Sequence, residues 1–286
     1  SRPGVFYGDF MQSTISTTLN GLQIFEQITS GATTAGGDSH THTVNVPRID
    51  TTTYSYHLSS GGTCGFVMDS PGAALMLKSS DTDGHSCHVK LRREPFTFYY
   101  DDQPLYYECM TQHANPAEGG FSVILGNADD ESDITLQTNS LPTRGISVNG
   151  VGFTWDPKTA ATAGDGATDG IAFKTSINGT VTTTDTETTP VAGEDMVFSM
   201  AYNGDGPSGA PEIKAYINGE LVATHTTNIP NESNDHFGPV WETCVRDAGD
   251  LSTANSNKLY VKYIYVSQER SAAAFTKTLT STDIGG

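Results

Sequence analysis

Basic residues are scarce in this 286-residue chain, with Lys+Arg 15 against Asp+Glu 33 and a formal net charge of −18. Nucleic acid and anionic membrane are recognised through clustered Lys and Arg, so the deficit excludes both as partners. Long apolar runs are also lacking, and none approaches the ~20 residues that a membrane-spanning helix needs. Cysteine is sparse. Cys64, Cys87, Cys109 and Cys244 lie far apart without C-x-x-C spacing, which reads as buried, reduced thiols with one Cys64–Cys87 disulfide as the alternative. The opening SRPGVFYGDF has no basic n-region, apolar h-region or small-residue cleavage site. This predicts a protein folded where it is made, or one whose signal has been removed. Helical periodicity is missing as well, since no segment sustains it over three turns.

The apolar fraction of 36% is low, but it is concentrated in alternating runs, so a core can form. Gly 30 and Pro 13, with abundant Thr and Ser, suit short strands and turns. The clearest signal is Glu212–His225, EIKAYINGELVATH, in which two alternating runs flank Asn218-Gly219. Asn-Gly supplies the two positive-φ residues of a type I′ turn, the strongest short-range hairpin mark. Ile213, Ala215 and Ile217 then share one face, and Leu221 and Ala223 continue on the return strand. Asn149-Gly150 and Asn178-Gly179 mark two further hairpins. Leu259–Val266, LYVKYIYV, puts Leu259, Val261, Tyr263 and Tyr265 on one face and Tyr260, Ile264 and Val266, with Lys262, on the other, and so predicts a strand covered on both sides or lying under an interface.

Further strands are expected at Tyr54–Leu58, Gly65–Met68, Ala73–Lys78, Ser86–Leu91, Phe96–Tyr100, Leu105–Gln112, Phe121–Gly126, Ile134–Gln137, Gly145–Val148 and Gly152–Trp155. The series goes on with Gly170–Ile177, Thr180–Thr184, Met196–Tyr202 and Val240–Val245. Many short strands at this turn density mean a sandwich or barrel. Residues 1 to 49 differ, with one apolar stretch, LQIFEQI, between Thr-rich and Gly-rich flanks. The expected organisation is an N-terminal arm or accessory strand segment at 1–49, a β-sandwich at 50–270 and a tail at 271–286.

Arg93-Glu94-Pro95-Phe96, Pro104–Gln112, Phe121–Asp129, Asp169–Lys174, Ile213–Pro230 and Leu259–Arg270 occur in the order of a known pattern. In them the chain resembles the concanavalin A-like, laminin G-like jelly rolls of tailed-phage virions. The resemblance implies an all-β jelly-roll sandwich with an extended N-terminal arm. It also implies a non-enzymatic virion protein decorating the outer surface of the capsid and made in the host cytoplasm. On that reading Leu22, Ile24, Phe25 and Ile28 form a docking arm, and the partners are the major capsid protein and copies of the chain, as a homotrimer. The alternative is a tail or fibre adhesin binding host or environmental glycans. A second alternative is a jelly-roll polysaccharide lyase or glycanase. Where the family has Asp in the closing strand this chain has Lys262, which puts a shared polar role there in doubt.

Fold does not fix function, so the chemistry must come from a site. Glycanases of this type need paired carboxylates spaced E-x-D-x-x-E, and the nearest run, Glu131-Ser132-Asp133, has Leu at 136. Lyase-like Arg92-x-Glu94, Gln112-His113 and Tyr260-x-Lys262…Tyr265…Gln268 each miss the pattern: Pro95 replaces Leu, Gln112 and His113 point to opposite faces, and Tyr265 falls one residue early. No catalytic residue and no cofactor are expected. Asp81, Asp83 and His85 are weak candidates for a metal, set against a polar turn. His40 and His42, two imidazoles on one face of an extended segment, are another. Tyr99, Tyr100, Tyr106, Tyr107, Trp155, Tyr202, Tyr216 and Trp241 are the aromatics available for glycan stacking, and Trp155, Tyr202 and Trp241 are the chosen contacts.

Overall fold

The computed structural model describes residues 4–9, 28–29, 38–44, 52–58, 63–69, 72–79, 86–91, 96–98, 104–126, 149–157, 170–204, 206, 209–231, 236–245 and 257–268. Among them are seventeen strands and no helix. In chain order these are β1 (Gly4–Asp9), β2 (Ile28–Thr29), β3 (Asp38–Val44), β4 (Thr52–Leu58), β5 (Thr63–Asp69), β6 (Gly72–Lys78), β7 (Ser86–Leu91), β8 (Leu105–His113) and β9 (Gly119–Gly126). There follow β10 (Gly150–Trp155), β11 (Ala172–Ile177), β12 (Thr180–Asp185), β13 (Asp195–Asn203), β14 (Glu212–Ile217), β15 (Glu220–His225), β16 (Gly238–Val245) and β17 (Lys258–Gln268).

They form two antiparallel sheets. Sheet A runs β15-β14-β13-β8-β17-β6-β5-β2, with β1 also on β17, and sheet B runs β12-β11-β10-β9-β16-β7-β4-β3. Strands far apart in sequence are neighbours in both, as the crossovers of a jelly roll require. The inner faces pack into one cluster that includes Phe121, Phe153, Phe173 and Trp241 from sheet B and Tyr107, Phe198, Ile213 and Ile264 from sheet A. Phe153 lies 4.9 Å from Phe198 and 5.2 Å from Phe173, centroid to centroid and tilted, as ring quadrupoles prefer. The predicted all-β jelly-roll sandwich is what the chain forms.

Two of the expected Asn-Gly hairpins are present. Asn178 and Gly179 (φ 49° and 77°) join β11 to β12, and Asn218 and Gly219 (φ 52° and 82°) join β14 to β15. The Asn218 side chain also accepts the Val197 N–H at 2.8 Å. The third pair departs from expectation: Gly150 opens β10, and Asn149 accepts the Asn178 N–H at 2.6 Å, bracing another strand's turn. Phe96–Tyr100 is not a strand in its described part, where Phe96 makes a single bridge to Phe237. Ile134–Gln137 and Gly145–Val148 lie outside the described residues. The N-terminal segment joins the chain's own sheets, with β1 on β17, β2 on β5 and β3 on β4. Those stretches are therefore strands of the sandwich, and the rest of 1–49 lies outside the described residues.

Two bulges correct the face assignments made from simple alternation. In β17 the register slips between Val261 and Tyr263, so Lys262 is an extra residue opposite β8. Leu259, Val261, Ile264 and Val266 consequently face the core, while Tyr263 and Tyr265 face outward with Tyr260. In β15 the ladder shifts at Ala215/Tyr216, leaving Val222 extra, and Leu221 turns outward beside Tyr216 at 51% exposure. Cys87, Cys109 and Cys244 are buried thiols outside any disulfide, so the Cys64–Cys87 bridge does not form.

Two histidines are sealed between the sheets. His113 accepts the Asn115 N–H at Nδ1, which leaves Nε2 as the donor toward Thr243 Oγ1 at 3.4 Å. Burial pushes its pKa down to about 3. His225 lies between Thr175 Oγ1 (3.0 Å) and Thr184 Oγ1 (2.9 Å), and burial pushes it down to about 4. A folded-state pKa below the unfolded value of 6.5 means the unfolded chain binds protons first as pH falls. Their contribution is complete above pH 6.5 and is lost progressively toward pH 3–4. Replacing His225 by Gln is expected to flatten the fall in denaturation midpoint between neutral pH and about pH 4 relative to wild type. An unchanged acid slope in both the His225→Gln and His113→Gln variants would refute this. Phe153→Ala is expected to cost about 3–5 kcal/mol in chemical denaturation, because the rigid sheets cannot close the cavity.

Candidate functional site

The outward face of sheet A carries a cluster built across four strands. β8 alternates, burying Leu105, Tyr107, Cys109, Thr111 and His113 and presenting Tyr106, Glu108, Met110 and Gln112. Register then sets the row Tyr265, Glu108, Ser199, Tyr216 and Leu221 across β17, β8, β13, β14 and β15. Neighbouring positions on one sheet face are within side-chain reach. Glu108 is at the centre. Its Oε2 accepts from the Tyr106 hydroxyl at 2.5 Å and from the Ser199 hydroxyl at 3.2 Å, and its Oε1 accepts from the Tyr263 hydroxyl at 2.7 Å. The Tyr106 and Tyr265 rings are 6.1 Å apart.

These residues line an open depression of about 600 Å³, walled by Tyr106, Glu108, Ser199, Tyr216, Asn218 and Tyr263. Partial burial pushes the Glu108 carboxyl up, but the three hydroxyl donors together outweigh it and hold the group below the ordinary carboxylate range. Burial first, and donation to Glu108 second, push the Tyr263 and Tyr106 phenols up. The depression therefore holds one carboxylate that stays ionised and two phenols that stay protonated. At one side Gln112 Nε2 donates to the Gly193 carbonyl (2.7 Å) and to Asp195 Oδ1 (3.1 Å), and Asp195 pairs with Lys262 Nζ at 2.5 Å.

A second polar row crosses the outer face of sheet B. Glu242 of β16 stands between His88 of β7 and Ser122 of β9 in register. All three are completely buried, and Ser122 Oγ donates to Glu242 Oε2 at 3.3 Å.

The residues chosen from sequence fall elsewhere. Trp241 is completely buried and donates to Cys109 Sγ at 3.3 Å; Tyr202 is 3% exposed and donates to the Phe98 carbonyl. Both are core side chains, which removes them from any glycan platform. Trp155 packs partly buried against the core and donates to the Pro116 carbonyl at 2.8 Å. Of the aromatics available in sequence, Tyr106 and Tyr216 line the depression. Simple alternation puts Tyr263 on the opposite face, because the bulge has no mark in the sequence. Glu108, which the YYE run puts beside two tyrosines, is the residue that sequence reading missed. Leu22, Ile24, Phe25, Asp81, Asp83 and His85 lie outside the described residues, and Ile28 opens β2 opposite Cys64. His40 and His42 are alternate positions of the edge strand β3, opposite Tyr56 and Tyr54. In the lyase-like run Tyr260-x-Lys262…Tyr265…Gln268 the bulge returns Tyr265 to the face of Tyr260, while Gln268 stays buried, bonded to the Thr97 backbone.

Two antiparallel sheets with crossover connections define a jelly-roll sandwich of the concanavalin A-like kind. No protein-family model and no curated protein sequence matches the chain. Among solved structures it is similar to a native glycosidic hydrolase at 13% identity, covering 92% of this chain and 94% of that one, TM-score 0.47. It is also similar to peanut lectin (9%, 94% and 98% covered, TM-score 0.46) and to an endo-1,3-beta-glucanase from Streptomyces sioyaensis (14%, 95% and 99% covered, TM-score 0.43). These neighbours are carbohydrate-binding or glycan-acting sandwiches. Against the expectation of a chain without enzymatic activity stand a glycosidic hydrolase and an endo-1,3-beta-glucanase among these neighbours.

Because three hydroxyls stabilise the charged form of Glu108, its side-chain carboxyl resonance is expected to titrate below the ordinary carboxylate range. Tyr263→Phe removes one donor and is expected to move that midpoint upward by NMR. No movement would show that the phenol does not hold the carboxylate.

Proposed function

We propose that the chain is a lectin-like polysaccharide-binding jelly roll whose saccharide site is the tyrosine-lined depression of sheet A. The carrying observation is the Glu108 cluster: a carboxylate held charged at the floor, with Tyr106, Tyr216 and Tyr263 around it. Saccharides present apolar ring faces and a rim of hydroxyls, and bind where flat aromatic surface lies beside fixed polar groups. Tyrosine provides both at small entropic cost, since its ring has few rotatable bonds. Leu221, turned outward beside Tyr216, extends the apolar floor.

This is the adhesin alternative rather than capsid decoration. Decoration through an N-terminal arm needs that arm free, and β1, β2 and β3 are hydrogen-bonded into the chain's own sheets. In the setting the phage resemblance implies, the chain belongs to a tail or fibre on the outside of the virion and meets surface glycans there.

The test is retention in affinity gels cast with a panel of neutral, cationic and anionic polysaccharides. At least one is expected to retard the wild type, with Tyr216→Ala weakening that retention by about five- to tenfold, or about 1–1.5 kcal/mol. A folded wild-type protein that no polysaccharide retards would overturn the reading. So would a Tyr216→Ala variant that binds as well as its parent.

A further inference from the structure

Resting on the saccharide reading of this depression, we infer that it selects a cationic glycan, a polymer of 2-amino sugars, over neutral and uronate polymers. Proton direction comes first. The hydroxyl protons of Tyr106, Tyr263 and Ser199 are all committed to Glu108. Each of those oxygens therefore offers a ligand its lone pairs and not a proton. The carboxylate offers lone pairs only. An ammonium is the matching group, with three donors and no acceptor, whereas a sugar carboxylate would meet acceptors and a fixed negative charge.

The aromatic walls point the same way. Tyr106, Tyr216 and Tyr263 line the depression that holds Glu108, and the negative face of an aromatic ring attracts a cation held above it. A carboxylate among such rings adds direct Coulomb attraction to the ring quadrupoles. The positive charges nearby are already engaged: Lys262 pairs with Asp195, and Lys214 pairs with Glu212 at 2.9 Å. Neither offsets Glu108 at the centre. The formal net charge of −18 adds long-range steering for a polycation.

The experiment is calorimetric titration of the wild type, Glu108→Gln and Tyr216→Ala with oligosaccharides of equal length: chitosan, chitin, cellulose and polyglucuronate fragments, in mildly acidic buffer. The chitosan fragment is expected to bind the wild type about tenfold or more tightly than the cellulose fragment. Glu108→Gln should bring the two within about twofold, while Tyr216→Ala weakens both. Cellulose or chitin fragments binding as tightly as chitosan would overturn the cationic preference and leave the saccharide site standing. A chitosan preference that survives in both variants would overturn it too, by assigning the effect to general surface charge. No binding by any fragment would overturn the saccharide reading itself.

Discussion

Everything in this protein hangs on the contact between the inner faces of its two sheets. Phe121, Phe153, Phe173 and Trp241 from one sheet meet Tyr107, Phe198, Ile213 and Ile264 from the other, nearly all without access to water. Each such side chain contributes on the order of 2–3 kcal/mol of burial. A one-residue slip in any strand would turn that contribution outward and replace it with polar groups. The core therefore fixes the register of every strand that reaches it. By fixing the inner residues it also fixes which residues are left to face away.

The tyrosine-lined depression is a consequence of that constraint. Once Tyr107 and Cys109 are committed to the core, Tyr106 and Glu108 have no choice of face. Phe198 and Met200 commit Ser199 in the same way, and Ala215 and Ile217 commit Tyr216. The bulge at Lys262 is the exception that completes the site. It lets Val261 and Ile264 both face inward, and the phase change leaves Tyr263 and Tyr265 on the outside next to Glu108. Bulges re-aim side chains at sites in this manner because the extra residue absorbs the alternation without breaking the flanking ladder.

Several polar side chains inside the sandwich are held by hydrogen bonds to one another. His113, Thr243, Asn257 and Ser79 form a connected set, with Asn257 Nδ2 donating to Ser79 at 2.7 Å and Thr243 Oγ1 donating to Asn257 Oδ1 at 3.2 Å. His225 is held by threonines of β11 and β12. Such sets stitch the two sheets at defined heights, at the cost of sensitivity to acid, because a proton added to either ring has no place to be solvated. The interior is therefore specific as well as apolar.

Sequence alone determined the fold class, the position of most strands and two of the Asn-Gly hairpins, because these depend on local alternation and on residues that tolerate positive φ. It failed at Tyr263, Tyr265 and Leu221, whose faces are set by two bulges that arise only when neighbouring strands compete for register. It failed at Tyr202 and Trp241, since a large aromatic reads the same in sequence whether it fills a core or lines a groove. It passed over Glu108 because a single carboxylate has no spacing to recognise. Its meaning comes from Tyr106, Ser199 and Tyr263, two of them on other strands, which only the closed sheet brings within hydrogen-bonding distance.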